Sequence, residues 1–411
     1  MANEPRVVVE LHALTDVGLV RPNNEDNFLI LDVGKGAYWT AADGTRVPEG
    51  VGRFEIGASG LVLAVSDGMG GALAGEVASH LAVATVARLM HRFDTRPPYA
   101  QLPFSERLRL ALEQANRLIY EKSQERPELM GMGATFTAAA YHRGWLYLGQ
   151  VGDSRAYLIR AGRIRQLTKD QSLVHRLVEA GFLTEEQAER HIYRNVILQA
   201  LGAHPHTVIV MDRLEVRRGD RVLLCSDGLS SKVAAAEMQE IVLGASDVAE
   251  AAEALVRLAK ERGGDDNITV LLAAFGGEAV PEGEDFVLLH VERDDRLPDV
   301  VDPELWDELV RFVPTISGLA TSPSEALRIA ASEPEGFAPE STGDSPEVIE
   351  DPPDEQRGVA SRTVARALLV LLLFLFLGAV LSTLWYLSVR ERRQGEPEEG
   401  PTLVLHPVAI R

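Results

Sequence analysis

The chain has 411 residues, 46% hydrophobic and 25% charged, enough for one large folded domain or two ordinary ones. Its formal net charge of −20 excludes a nucleic-acid-coating role, since phosphate backbones are held by clustered Lys and Arg and no basic patch appears in the order of residues. A single cysteine, Cys225, excludes an internal disulfide framework and a cysteine-based zinc cluster, as fits a domain in a reducing compartment.

Residues 1–16, MANEPRVVVELHALTD, lack the long apolar core of a signal peptide. Apolar alternation and β-branched enrichment predict strands near 6–14, 27–33 and 61–66. Between the last two, residues 37–59 are longer than a simple hairpin loop and read either as a segment that shapes substrate choice or as decoration, with decoration favoured. Helical periodicity marks 73–92 and 105–124, followed by strands at 134–141, 145–151 and 154–160, with Asp153 in a hairpin turn between the last two. Helices at 170–180 and 184–191, strands at 207–212 and 221–226, and helices at 234–243 and 247–262 come next; Gly263-Gly264 stops the last of these before a strand at 268–275. Strands arrive in blocks rather than in strict alternation with helices. This pattern favours an α+β arrangement of mostly antiparallel sheet with helices packed outside.

From residue 276 onward the composition changes: this third of the chain holds 26 of the 61 acidic side chains but only 11 of the 41 Lys and Arg. Residues 276–360 have linker composition, with GDSPEVIEDPPDEQ carrying six acids and no base, although DPELWDELVRFV (302–313) has the spacing of one amphipathic helix. Residues 367–389 are 23 uncharged positions, about 34 Å of helix, against a bilayer core of about 30 Å. A transmembrane helix is therefore expected over 364–389, with a short tail at 390–411. Arginines flank both ends of this run, so charge does not orient it. The absent signal peptide and the lone thiol favour a cytoplasmic N-terminal domain with a short external tail, so a single-pass protein of the cell membrane is expected.

Several carboxylates stand at the ends of apolar strands. Asp67 and Asp227 each follow one and precede a glycine, where the backbone should turn sharply (VLAVSDGMGG and VLLCSDGLSS). Glu25-Asp26 lies just ahead of a strand with Arg21 upstream, Asp153 sits in QVGDSRAY, and Asp265-Asp266 precedes the last strand. Such a cluster ionises stably only beside a cation, and hard divalent ions such as Mg2+ or Mn2+ match oxygen ligands. Two ions about 3.5–4 Å apart can share and acidify a water. Arg21 would supply a bidentate clamp on phosphate oxygens.

The set Asp16-x-Gly18-x-x-Arg21-x-x-Asn24-Glu25-Asp26, Asp67-Gly68-Met69-Gly70-Gly71, Gly133-Ala134-Thr135, Gly152-Asp153-Ser154-Arg155, Ser226-Asp227-Gly228 and Asp266-Asn267-x-Thr269 resembles the metal-dependent type 2C protein serine/threonine phosphatases. The resemblance covers about residues 6–275 and implies a catalytic domain over 1–275. The implied fold is a four-layer α-β-β-α sandwich. It also implies that Asp67 bridges two Mn2+ or Mg2+ ions, that Asp227 and Asp266 complete the first, and that Asp26 with the carbonyl of Gly68 serves the second. Glu25 and Asn267 are supporting residues, Asp153 with Asp227 resembles the site of a weaker third ion, and Arg21 resembles the phosphate-binding arginine. Residues 169–202 match the place of the family's mobile flap. Resemblance to membrane-anchored bacterial members implies phosphorylated proteins as substrates, a transmembrane serine/threonine kinase as partner, and a monomer.

Other chemistries fit less well. A cysteine phosphatase needs an arginine six positions after its thiolate, and position 231 is Ser. GMGGALAG lacks a P-loop lysine, and neither HExxH nor GxSxG occurs. His175, His191, His204 and His206 have the chemistry of general acids, but their sequence context assigns them no role. A catalytically inactive, membrane-tethered phosphoprotein-binding module is the alternative, though such a module would be expected to lose a metal aspartate, and none is missing.

Overall fold

The structure, a computed structural model, describes residues 6–41, 52–71, 74–294, 296–298 and 300–312. Its strands are β1 (Val8–Asp16), β2 (Asp26–Asp32), β3 (Ala37–Thr40), β4 (Arg53–Glu55), β5 (Leu61–Met69), β6 (Gly133–Ala134), β7 (Phe136–His142), β8 (Trp145–Val151), β9 (Arg155–Arg160), β10 (Arg163–Gln166), β11 (Val210–Glu215), β12 (Arg221–Cys225), β13 (Ile268–Gly276) and β14 (Leu289–His290). The helices are α1 (Ala74–Thr95), α2 (Phe104–Glu125), α3 (Leu173–Glu179), α4 (Glu185–Glu189), α5 (Asp227–Ser230), α6 (Ala235–Gly244), α7 (Val248–Glu261) and α8 (Pro303–Phe312).

Two antiparallel sheets form. The first runs β10-β9-β12-β13-β1-β4 and the second β14-β11-β8-β7-β5-β2-β3, with β6 beside β5. Alternation within β2 shows why they stack. Phe28 and Ile30 join an inter-sheet core with Leu11, Leu63 and Leu271, while Leu29 and Leu31 pack against α1 and α2. On the first sheet Leu223, Val270 and Leu272 face α6 and α7 instead. Both faces of each sheet are covered, so β2 is buried along its whole length. The α+β layering expected from the strand blocks is what forms.

The helices have local causes. α1 is alanine-rich, and its buried Val77, Leu81 and Phe93 lie on the second sheet's core. α7 starts at Asp247, whose side chain accepts the N–H groups of Ala249 and Glu250, and it buries Leu255, Val256 and Ala259.

Three sequence expectations are corrected. Asp153 does not sit in a hairpin turn: β8 belongs to the second sheet and β9 to the first, so residues 152–154 cross between sheets. Residues 37–59 supply an edge strand to each sheet, β3 beside β2 and β4 beside β1. The described part of the supposed linker packs on the domain. β14 pairs with β11, and Val301, Leu305 and Leu309 enter the core around α1 and α2. Glu308 accepts from Arg88 at 2.6 Å and from Arg92 Nε at 2.9 Å, and the Arg117 guanidinium lies 3.9 Å from the Trp306 ring centroid. The amphipathic spacing of 302–313 does form a helix, α8; averaged composition concealed only that its acidic side chains answer arginines of α1. Among the described residues no helix is long and apolar enough to cross a membrane; the run at 364–389 and the tail at 390–411 lie outside them.

Candidate metal centre

Each sheet delivers a pair of aspartates to one end of the sandwich. On the second sheet, antiparallel pairing sets Asp26 of β2 opposite Asp67 of β5. On the first, Cys225 pairs with Val270, which brings the end of β12 beside the start of β13. Asp227 then opens α5, and Asp266 lies in the turn before β13.

Crowding Asp26, Asp67 and Asp227 away from water disfavours their ionisation. Burial, only partly opposed by hydrogen bonds from Ser226 and Thr269, pushes Asp26 up to about 7, with Asp227 and Asp266 adding repulsion. Asp227 rises to about 6, through burial first and Asp266 second. Burial and then Asp26 raise Asp67 well above the usual carboxylate range. Asp153 is pushed up to about 8 by burial and by Asp227. Its repulsion with Asp227 brings the crossover residue into the same electrostatic cluster.

A shell of hydroxyls holds the aspartates. Asp26 Oδ2 accepts from Ser226 Oγ and from Thr269 Oγ1, each at 2.7 Å. The Asp67 N–H donates to Thr135 Oγ1 at 2.9 Å, and Thr135 Oγ1 lies 2.7 Å from Ser154 Oγ. Ser226, Thr269, Thr135 and Ser154 all stand within the motifs, yet sequence alone assigns them no task. The available signal is position: each lies within three residues of a site carboxylate, or pairs with its backbone.

The first Asp-Gly pair is not a sharp turn, whereas the second opens the short helix α5 directly after β12. β5 runs on through Gly68, which pairs with Ala134 of β6. A Cβ at Gly68 would lie 2.0 Å from the Gly75 carbonyl oxygen, and one at Gly228 would lie 1.9 Å from that of Asn267. Close backbone approach, rather than a special dihedral, is what requires glycine at both places.

Arg21 donates to Asp266 Oδ2 at 2.7 Å and remains about half exposed. Asn267 straps the Arg21 loop to the first sheet: its Nδ2 donates to the carbonyls of Val17 (3.0 Å) and Asn23 (2.9 Å), while its Oδ1 accepts the Glu25 N–H (2.8 Å). Glu25 is raised by burial, against the pull of Arg21. The root of the 169–202 segment is tied to the Asp153 crossover by a reciprocal pair, Gly152 N–H to Gln171 Oε1 (2.8 Å) and Gln171 N–H to the Gly152 carbonyl (3.0 Å). Of the histidines of this segment, His175 Nε2 is buried without a hydrogen-bond partner, 3.7 Å from Glu179, and His191 Nδ1 accepts the Tyr193 N–H.

The donor set fits hard cations. Asp26 Oδ1 and Asp153 Oδ1 are buried and have no hydrogen-bond partner. Among the described residues no three His, Cys, Asp or Glu side chains stand close enough to enclose an ion by themselves. An ion here would complete its shell with a backbone carbonyl and water, the habit of Mg2+ and, with similar oxygen preference, Mn2+.

Comparison with known proteins agrees with this geometry. Residues 51–273 match the family model for protein phosphatase 2C. The serine/threonine protein phosphatase PstP of Mycobacterium tuberculosis is 38% identical over 267 residues, 65% of this chain and 45% of that protein, so the chain spans less than half of its length. The serine/threonine phosphatase stp of Listeria monocytogenes is 34% identical over 258 residues, 63% of this chain and 92% of the relative. The crystal structure of Mycobacterium tuberculosis PstP/Ppp superposes with a TM-score of 0.53 at 36% identity, covering 67% of this chain and all of that one. The PstP catalytic domain in complex with two manganese ions gives 0.52 at 36%, covering 66% and 99%. The chain belongs to the protein phosphatase 2C family.

Proposed function

We propose that the chain is a protein serine/threonine phosphatase that hydrolyses phosphoserine and phosphothreonine with two Mn2+ or Mg2+ ions. The observation that carries this reading is the meeting of Asp26, Asp67, Asp227 and Asp266 from two sheets, with a buried carboxylate oxygen left unpaired. The manganese-bound structure of a relative at 36% identity supports the choice of ion. Asp67, Asp227 and Asp266 would each contribute to one ion, and Asp67, Asp26 and the Gly68 carbonyl to the other, with water needed to complete both shells and Asp153 and Asp227 available to a weaker third. When bound, such ions neutralise the carboxylates and supply an acidified water as nucleophile.

The chain's own residues supply the rest. Arg21, half exposed at the rim, would leave Asp266 to clamp two phosphate oxygens. Asn267 fixes the loop that carries Arg21 and Glu25. Turnover of a phosphothreonine peptide by the full chain, with and without Mn2+, tests the reading. Mn2+-dependent phosphate release is expected. Binding of the peptide without turnover under either condition would favour the inactive binding module.

Membrane tethering through 364–389, with the catalytic domain cytoplasmic and monomeric and the substrates phosphorylated by a transmembrane serine/threonine kinase, is part of the same proposal. The 23-residue uncharged run and the acidic segment before it support that layout. Fractionation of the full chain into the soluble pool would end it.

A further inference from the structure

The oxygens of Asp26 are treated unequally. Oδ2 takes two hydroxyl donors, Ser226 and Thr269, at 2.7 Å each, while Oδ1 is buried with no hydrogen-bond partner. Thr269 lies on β13 of the first sheet and Ser226 directly follows β12, at the start of α5, whereas Asp26 stands on the second sheet. Among the described residues, these two hydroxyls meet Asp26 Oδ2 across the carboxylate end of the sandwich.

The polarity of this network is fixed. Because Thr269 gives its hydroxyl proton to Asp26, its 2.7 Å contact with Thr15 Oγ1 must be donated by Thr15, which faces it on β1. Thr15 in turn accepts from Asn24 Nδ2 at 2.8 Å. Ser226 Oγ accepts the Thr269 N–H at 3.0 Å and passes its own proton to Asp26. Two one-way routes therefore end on Oδ2, and Asp26 Oδ1 is left for a cation.

We infer that Ser226 and Thr269 are positioning residues which commit Oδ2 of Asp26 to the first sheet, present Oδ1 alone to the metal centre, and fix the distance between the carboxylate pairs of the two sheets. This deepens the phosphatase reading and rests on it. Outer partners of ligating carboxylates govern metal affinity about 10- to 100-fold.

The test is Mn2+ titration calorimetry on the full chain, with thermal melting to check folding. Thr269→Val and Ser226→Ala should each weaken Mn2+ binding about 10- to 100-fold. Each should raise the Mn2+ needed for half-maximal turnover by the same factor, with the phosphopeptide KM at saturating Mn2+ unchanged. Thr269→Ser, which keeps the hydroxyl, should bind Mn2+ as the parent does. Folded Thr269→Val and Ser226→Ala with parental Mn2+ affinity overturn the inference, as does failure of both to fold, which would make the hydroxyls structural. If only one folds, its Mn2+ affinity decides. A parent that binds Mn2+ but releases no phosphate from the peptide sinks the activity and leaves the positioning result standing.

Discussion

Arg21 Nη2 donates to Asp266 Oδ2 at 2.7 Å, so the residue proposed to clamp phosphate rests on a carboxylate proposed to hold a cation. The pair is partly exposed, and exposed ion pairs contribute little, so the guanidinium is free to exchange partners. Arg21→Ala should raise the phosphopeptide KM about 10-fold, in keeping with a lost hydrogen bond to a charged group, with little change in kcat. Arg21→Lys should recover only part of it, because the planar fork is gone. Steady-state kinetics at saturating Mn2+ decide, and an unchanged KM in Arg21→Ala would remove the role.

Metal removal should expose a pH dependence of a definite sign. Asp26, Asp153 and Asp227 are raised, mainly by burial, to about 7, 8 and 6. Unfolded aspartate titrates near 4, so their contribution to stability is fully present below about pH 4 and is lost as pH rises through about 6 to 8. In chelator, the melting temperature of the chain should fall between pH 5 and 8. Added Mn2+ should raise it more at pH 8 than at pH 6, since ligands bind deprotonated. A metal-free melting temperature that climbs across this interval would contradict the account.

Gly68→Ala and Gly228→Ala should each cost about 3 kcal/mol, because the new methyl would overlap a backbone carbonyl, which cannot rotate away as a side chain does. Gly71→Ala is a contrasting case: nothing lies within 4 Å of its Cβ position, and only its positive φ opposes the change. Denaturant melts of the three variants would rank them. A Gly68→Ala protein as stable as Gly71→Ala would show that β5 does not press on Gly75 as described.

Ending the chain at 275 rather than 312 removes the buried Val280, Val301, Leu305 and Leu309. At about 1.5–3 kcal/mol per buried aliphatic side chain, the shorter protein should lose at least about 5 kcal/mol. Leu305→Ala in the full chain should cost about 2–5 kcal/mol. Equal denaturation midpoints for proteins ending at 275 and at 312 would show that α8 adds nothing to the domain.

The strands that carry the aspartates were legible because their cores are continuous in sequence: 27–33, 61–66, 221–226 and 268–275 fall close to β2, β5, β12 and β13. Short edge strands were not. β3, β4, β10 and β14 have two to four residues each, and their partners are far away in the chain or across a loop. The Asp-Gly motif revealed that glycine was needed but not why, because the clash is with Gly75 and Asn267, distant in sequence from a turn rule. Crowding of the carboxylates could be argued from strand ends. The unequal oxygens of Asp26 could not, since hydroxyl direction depends on the register of Thr15 with Thr269.

The most direct measurement is phosphate release from a phosphothreonine peptide by the full chain in Mn2+, compared with Asp67→Asn and Asp227→Asn, with bound Mn2+ counted in each. The parent should bind at least two ions and turn over, while both variants should stay folded, lose an ion and lose turnover. A parent active in chelator, or either variant with near-normal turnover, would contradict a two-ion centre built on these carboxylates.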